Sequence, residues 1–446
     1  MGIDGYICIA VFALVILGIS LNLLHMALVA LLGVSALMVT GIITTEVRSA
    51  GILAVYSINS LFIASMVIIR CLEPTNIFPV LAQRLFRLAR GDGRLLLVLL
   101  FAVVAPLCAV FPNATVVLLF LPLCAEVARL FAMPLMPVII LLVFIANGAG
   151  LLTLIGGVPS YIVGTALKMD FLTYLREVTP GAMTAMGALF LSSPFLFPTI
   201  WTARRKEAAN PQAPSQKACI QNPTALSLLA IIFTAAVLLF LTGEYLPVPI
   251  SPVFTAIVAG TLALIVVHVT GLADFGRVIR SIDWETILFF DCVFMIVAAM
   301  EASGVFTATG HFLSGILGDN ALVTAIWILF SLGALSSVMP NIPLAAVMLP
   351  TLVTYLLDTG FLNAAQTTAG VAAMPGESKF IILSMLFGVT LGGNATMLGA
   401  IPNIIAVSAA REAGERITFG AFARFGVPAT LIQLGACALY ILFCLR

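Results

Sequence analysis

An uncharged apolar run from Pro134 to Leu167 constrains this chain more than any other feature. As one continuous helix it would extend roughly 50 Å, against a hydrocarbon core of about 30 Å. Its second half, ANGAGLLTLIGGVPSYIVG at 146–164, holds Asn147, Gly148, Gly150, Thr153, Gly156, Gly157, Pro159 and Ser160. Glycines release a helix, and Pro159 is placed to restart one at its first position. Unwound backbone at membrane depth is tolerated only where it faces protein or a water-filled cavity. Taken alone, the run reads either as a broken transmembrane helix or as a glycine-rich face packed on a neighbour.

A second copy favours the broken helix. Residues 389–407 read VTLGGNATMLGAIPNIIAV, and a shift of 243 positions lays Gly150 on Gly393 and Thr153 on Thr396. The same shift lays Gly156 on Gly399, Pro159 on Pro402 and Ser160 on Asn403. Two interrupted helices at matching places in two halves of a membrane protein point to a transporter's binding site.

Composition places the whole chain in the bilayer. Of 446 residues 62% are hydrophobic and 9% charged, with a mean hydropathy of +1.20; soluble domains carry about 25% charged residues. A net charge of +1 gives no reason to expect a nucleic-acid partner. The eight cysteines are scattered without a CxxC and read as packing residues. His25, His268 and His311 lack HExxH spacing, so neither a metal site nor a catalytic constellation is expected. Asp4 stands where a signal peptide would be basic, so the first span is expected to be retained.

Two further apolar runs are interrupted differently. Leu95–Phe131 is broken by Phe111-Pro112-Asn113, and Ala321–Leu357 by Met339-Pro340-Asn341. Each reads as a hairpin that enters the membrane and turns back, or as two full spans joined by a tight turn. They are duplicates: Pro112-Asn113 and Pro122 match Pro340-Asn341 and Pro350 at an offset of 228, which also pairs Glu73 with Glu301. The repeat is span, amphipathic segment, hairpin, broken helix. Arginines cluster at 84–94, 277–280 and 411–424, and Arg204, Arg205, Lys206 and Lys217 fall in 201–224. Placed together in the cytoplasm, these groups give about ten spans plus two hairpins, both termini outside and the repeats inverted.

The expected fold is therefore an all-α polytopic membrane protein, an inverted-repeat transporter with two re-entrant hairpins and two broken transmembrane helices. Scaffold helices occupy 1–49, and the first repeat 50–200 contains hairpin 94–131 and broken helix 134–166. A cytoplasmic linker at 201–224 leads to scaffold helices at 225–283 and the second repeat at 284–446, with hairpin 321–357 and broken helix 380–410. Residues 73–92 alternate arginines with Ile77, Leu81, Leu85 and Leu88, the pattern of an amphipathic helix at the interface.

Helices starting at mid-membrane would aim partly positive N-termini into a site, while unwound carbonyls and Asn oxygens suit a cation such as Na⁺. Asn113, Thr115, Asn147 and Thr153 form one expected cluster, with Gly156, Pro159 and Ser160 in its unwound stretch. Asn341, Asn394, Thr396 and Asn403 form the other, with Gly399 and Pro402. The competing reading of a buried Asn is structural glue, weakest for Asn113 and Asn341, which recur at the tips. Asp291 lies deep enough in its span to be costly unless used or paired; it reads as a proton or cation carrier, as a wall of a wet vestibule, or as a partner of Arg70. Glu126 and Arg129 are expected to form a local ion pair.

This pattern resembles the ion transporter superfamily of citrate and dicarboxylate carriers, arsenite permeases and certain Na⁺/H⁺ antiporters. The residues that carry it are LLTLIGGVPSYIVG at 151–164, LGGNATMLGAIPNIIA at 391–406, FPNATVVLLFLP at 111–122, MPNIPLAAVMLP at 339–350 and WETILFFDCVFMIVAAMEASGVF at 284–306. The arsenite and antiporter branch looks closer than the dicarboxylate branch. The resemblance implies moving transport regions against a scaffold, often in a homodimer, in a bacterial inner membrane or one derived from it. It implies no cofactor beyond Na⁺ or H⁺ as coupling ion. Where that branch carries Asp before the hairpin Asn, this chain has Pro112 and Pro340, and Gly157 replaces an acidic residue. An uncharged substrate, an anion no longer repelled by fixed acids, or coupling moved to Asp291 would each account for the loss. The expected function is secondary transport of a small inorganic or organic ion. The alternative is a non-transporting scaffold or sensor that keeps the fold.

Overall fold

The computed structural model describes residues 1–21, 24–89, 91–131, 133–203, 219–412 and 414–445; the basic part of the linker, 204–218, lies outside them. The described residues form helices and turns with no strand. In chain order the first half runs α1 (Ile3–Ser20), α2 (Met26–Val39), α3 (Thr45–Leu72), α4 (Ile77–Ala89), α5 (Gly93–Cys108), α6 (Asn113–Leu130), α7 (Leu135–Ala149), α8 (Val158–Ala166), α9 (Phe171–Glu177), α10 (Thr179–Leu196) and α11 (Pro198–Trp201). The second half runs α12 (Pro223–Thr242), α13 (Pro252–Val269), α14 (Phe275–Arg280), α15 (Trp284–Ala302), α16 (Val305–Leu317), α17 (Ala321–Ser336), α18 (Asn341–Asp358), α19 (Ala364–Ala369), α20 (Gly376–Gly392), α21 (Ile401–Glu412) and α22 (Phe419–Cys444).

Six of these helices are long and apolar enough to cross a bilayer: α1, α3 with its following turn, α12, α13, α18 and α22. The pair α15–α16, bent by 70°, would make a seventh. The protein is an integral, multi-pass membrane protein.

The duplication read from sequence reappears helix by helix. A shift of 228 carries α4 onto α16, α5 onto α17 and α6 onto α18, end for end. It also carries Asn76 onto Gly304, and both adopt left-handed backbone, φ 60° and 71°, where the span turns into the amphipathic helix. That conformation is open to Gly and tolerated by Asn, which explains the two residue types. The register then slips because the connection between α18 and α20 carries α19, whereas α6 and α7 are joined by only a few residues. After the slip a shift of 243 lays the end of α7 on the end of α20 and the start of α8 on the start of α21.

Both breaks are present, and at each proline tip two helices are joined by a tight turn. Each hairpin pairs an arm of 16 residues with one of 18, about 24 and 27 Å long. Pro112 and Pro340 cap α6 and α18 with matching non-helical backbone, φ −55° and −58°. Residues preceding proline disfavour helix, so the arm ahead of each tip stops short. α7 is buried from Pro137 to Ala149 and α20 from Ile381 to Gly392, so the first halves of the broken helices are the centre of the bundle. The second halves cross over: α8 packs on the opposite hairpin arm α18, and α21 packs on α6. This exchange is what a twofold pseudo-symmetric pair of repeats requires.

Packing at the centre is backbone on backbone. A Cβ on Gly392 would lie 2.7 Å from the Cα of Gly333, so α17 and α20 approach this closely because Gly392 lacks a side chain, while a Cβ on Gly333 would meet Leu434 of α22 at 2.6 Å. All eight cysteines are free and six are buried, in keeping with packing residues. Neither the expected Glu126–Arg129 ion pair nor the Arg70–Asp291 pairing left open from the sequence forms. Arg70 binds Glu73 at 3.0 Å and leaves Asp291 to Asn59, because three residues along a helix is a shorter reach than a crossing to the next one. Among the described residues no ion pair joins Glu126 to Arg129; Arg129 is exposed and free to solvate.

Candidate functional site

Each break is held open by the same three devices. In the first half the Thr153 hydroxyl donates to the Ala109 carbonyl, beyond the C-terminal end of hairpin arm α5. In the second, Thr396 donates to the carbonyl of Ser337, the residue matching Ala109. One turn into the restarted helix, Ser160 Oγ donates to the Gly150 carbonyl at 2.9 Å, and Asn403 Nδ2 donates to the Gly393 carbonyl at 2.7 Å. These bonds satisfy carbonyls that the helix has released, as membrane depth demands. Finally, Gly156 and Gly399 lie where unwound backbone meets the hairpin. A Cβ would fall 3.0 Å from Ala109 O at Gly156, and 2.6 Å from Ser336 O at Gly399.

Between the two breaks lies a cavity of about 70 Å³, with room for a few waters or one small anion. Its wall includes both hairpin tips, Asn113 and Asn341, and both broken helices, through Asn147, Gly150, Gly156, Pro159, Ser160 and Pro402. Four helix N-termini therefore open onto it: those of α6, α8, α18 and α21. Each carries about half a positive charge. Among the described residues the wall has no Lys or Arg and a single acid, Asp283. Asp283 caps α15, accepting from the Thr286 backbone at 3.0 Å and its hydroxyl at 2.6 Å.

A buried amide network runs back from the wall at Asn147. Asn147 Nδ2 donates to Asn394 Oδ1 at 2.9 Å and Asn403 Oδ1 at 2.8 Å. Asn394 Nδ2 passes the chain to Gln433 Oε1 at 2.9 Å, and Asn403 Nδ2 also reaches the Thr396 carbonyl at 2.7 Å. All four side chains are essentially inaccessible. The network ties α7 of the first repeat to the unwound stretch of the second and to α22.

The expected site residues thus divide in two. Asn113, Asn147, Gly156, Pro159, Ser160, Asn341 and Pro402 line one cavity. Thr153, Thr396, Gly399, Asn394 and Asn403 stand behind it and hold its backbone. Thr115, one turn into α6, is buried outside the lining. Asp291 also lies away from the cavity, on an exposed face of α15, where it accepts from Asn59 Nδ2 at 2.7 Å.

Sequence reasoning missed Thr390, Asp283, Thr286 and the apolar wall of Phe62, Met66 and Phe290. Thr390 could have been found, because the shift of 243 lays Asn147 on it. Its hydroxyl and Asn113 Oδ1 are buried without a hydrogen-bond partner, so the cavity wall keeps polar capacity in reserve.

Comparisons with known proteins agree with this architecture. The crystal structure of the Alcanivorax borkumensis YdaH transporter superposes with a TM-score of 0.60 at 14% identity, over 88% of this chain and 86% of that one. An uncharacterized transporter of Synechocystis sp. is 36% identical over 97% of this chain and 96% of its own length. An uncharacterized transporter of Mycobacterium tuberculosis is 26% identical over 98% of this chain and 97% of its own length. The human P protein is 22% identical over 86% of this chain, which spans 53% of that protein. Residues 12–375 match the family model described as citrate transporter, and the chain belongs to that family of membrane transporters.

Proposed function

We propose that the protein is a secondary transporter that carries a small anion by alternating access, bound between the two hairpin tips and the two breaks. The observation that supports this reading is the convergence of four helix N-termini on a cavity with no basic side chain in its wall and one acid, itself engaged as a cap. Helix N-termini with free N–H groups hold anions without a fixed cation. The fixed carboxylates that would repel an anion are replaced by Pro112, Pro340 and Gly157. Phosphate and small carboxylates match the cavity as it stands; citrate, which the family suggests, needs the cavity to widen, and arsenite, mainly uncharged at neutral pH, tests whether charge is required.

Asn113 Oδ1 and the released carbonyls offer oxygens to Na⁺, the coupling ion in this reading, with H⁺ as the alternative. In this reading the protein sits in a bacterial cytoplasmic membrane with its arginine groups on the cytoplasmic side, the repeats inverted and both hairpins re-entrant. The two hairpins and two breaks, interlocked by packing and by the Asn147 network, would move together as one body against the scaffold helices.

Purified protein reconstituted in liposomes tests the proposal. Uptake of labelled citrate, succinate, phosphate and arsenite is measured with Na⁺ or H⁺ gradients of either sign. One anion is expected to accumulate only under a cation gradient, with uptake lost in Asn113→Ala and Asn341→Ala. Absence of uptake for all four, together with no ligand-induced rise in melting temperature, would overturn it in favour of a non-transporting scaffold that keeps the fold; a rise without uptake would favour a sensor.

A further inference from the structure

A second cavity, of about 340 Å³, lies against the C-terminal half of α21 and contains two arginines. Its wall is Arg411 in the last turn of α21, Arg416 and Thr418 in the connection to α22, and Met397, Val407 and Ile417. Among the described residues neither arginine joins an ion pair. The acid next to them, Glu415, is turned away and accepts from the Leu135 backbone N–H at 3.2 Å. Two uncompensated guanidinium groups thus share a pocket whose other walls are mainly apolar.

Its depth identifies the occupant. α22 is a span of 26 residues that starts at Phe419, which is exposed. The connection 414–418 therefore sits where the span leaves the hydrocarbon, at the level of phosphate headgroups. Arginine forks bind phosphate oxygens in pairs, and basic pockets between transmembrane helices at this level take anionic headgroups. The apolar residues Met397, Val407 and Ile417 suit the glycerol and upper acyl chain below such a headgroup. We propose that Arg411 and Arg416 form a binding site for an anionic phospholipid.

The site also touches the transport machinery. Met397 belongs to the unwound stretch 393–400, whose Thr396 is tied to the tip of the second hairpin. A lipid seated here contacts the break through Met397 and α21 through Val407 and Arg411. The inference does not rest on which anion is transported.

The test uses full-length protein in nanodiscs of phosphatidylcholine, with and without phosphatidylglycerol at about 20 mol%, enough to give the surface anionic headgroups for the arginines to bind. Phosphatidylglycerol is expected to raise the melting temperature by about 3 °C in the native protein. The rise should vanish in the double variant Arg411→Gln, Arg416→Gln and persist in the control Arg277→Gln, Arg280→Gln. Melting in pure phosphatidylcholine reports whether the double variant folds. If it does not, Arg411→Lys with Arg416→Lys, which keeps charge but not the fork, should show a reduced rise. An undiminished rise in both double variants overturns the proposal. So does an equal rise produced by inorganic phosphate in pure phosphatidylcholine, since that would make the pocket a vestibule for free anions.

Discussion

In the first half, the break is held by Thr153 on Ala109 and Ser160 on Gly150; in the second, by Thr396 on Ser337 and Asn403 on Gly393. These matched bonds stabilise released backbone, and the duplication has preserved them. The halves part at the position just ahead of the break, where Asn147 stands in one and Thr390 in the other. Asn147 donates both amide hydrogens across the pseudo-twofold axis, to Asn394 and Asn403. Thr390 cannot return the bond, because Leu151 and Ser160 occupy the places of Asn394 and Asn403. One half is therefore fastened by a buried network, while the other leaves a hydroxyl unpartnered in the cavity wall. Backbone repair is symmetric here, and side-chain polarity toward the site is not.

The largest effect expected from this comparison comes from the two close-approach glycines. Alanine at Gly399 places Cβ 2.6 Å from Ser336 O and 2.7 Å from Gly393, and every one of those atoms is backbone that cannot swing aside. Alanine at Gly156 meets its nearest atoms at 3.0 Å, which a small shift relieves. Gly399→Ala should abolish uptake and destabilise by about 2–3 kcal/mol, and Gly156→Ala should cost about 1 kcal/mol and leave partial uptake. Equal losses in melting temperature and transport would show that the two breaks are packed alike after all.

Removal of the network ranks second. Asn147→Ala strands Oδ1 of Asn394 and Asn403, and bonds of this kind inside membranes average about 0.6 kcal/mol with a maximum of about 1.7. A loss of about 1–2 kcal/mol is expected, read as a melting temperature lower by a few degrees. A double-mutant cycle with Asn394→Ala should give a coupling of about 0.6 kcal/mol or more. A coupling of zero would break the account of the hub. Asn147→Thr, which copies the second half into the first, should behave like the alanine variant.

Thr390→Val sharpens the contrast from the other side. The hydroxyl has no protein partner, so its replacement by a methyl of similar shape should leave the melting temperature unchanged. If the hydroxyl serves the transported anion, one lost hydrogen bond raises KM about fivefold to tenfold. A lower melting temperature with unchanged KM would make Thr390 a structural residue and the asymmetry irrelevant to transport.

Much of this was legible in the sequence because apolar runs, prolines and glycines govern backbone in lipid directly. Pro112 and Pro340 gave the hairpin tips, and the Gly150 and Gly393 stretches gave the breaks. The direction of individual side chains was not legible. Thr153 and Thr396 looked like site residues for the same reason that they make good backbone donors, and periodicity cannot tell a hydroxyl facing a cavity from one facing a carbonyl. Gln433 offers no signal at all in a run of apolar residues until α22 is seen against Asn394. Asp283 reads from sequence as an ordinary helix cap, and only the packing of α15 against the tips brings it to the cavity.

The smallest expected effect concerns Asp291, a third point at which the halves differ, since the shift of 228 places Ile63 opposite it. Its carboxylate lies off the cavity and accepts from Asn59. Asn keeps an acceptor oxygen for that bond, so Asp291→Asn should change uptake less than about twofold, within about 0.4 kcal/mol of the barrier. Uptake measured with an imposed H⁺ gradient is the decisive arm, because a proton carrier remote from the substrate would show itself there alone. If gradient-driven accumulation collapses while exchange without a gradient survives, coupling resides on α15. The asymmetry between the halves would then extend from the substrate's hydrogen bonds to its source of energy.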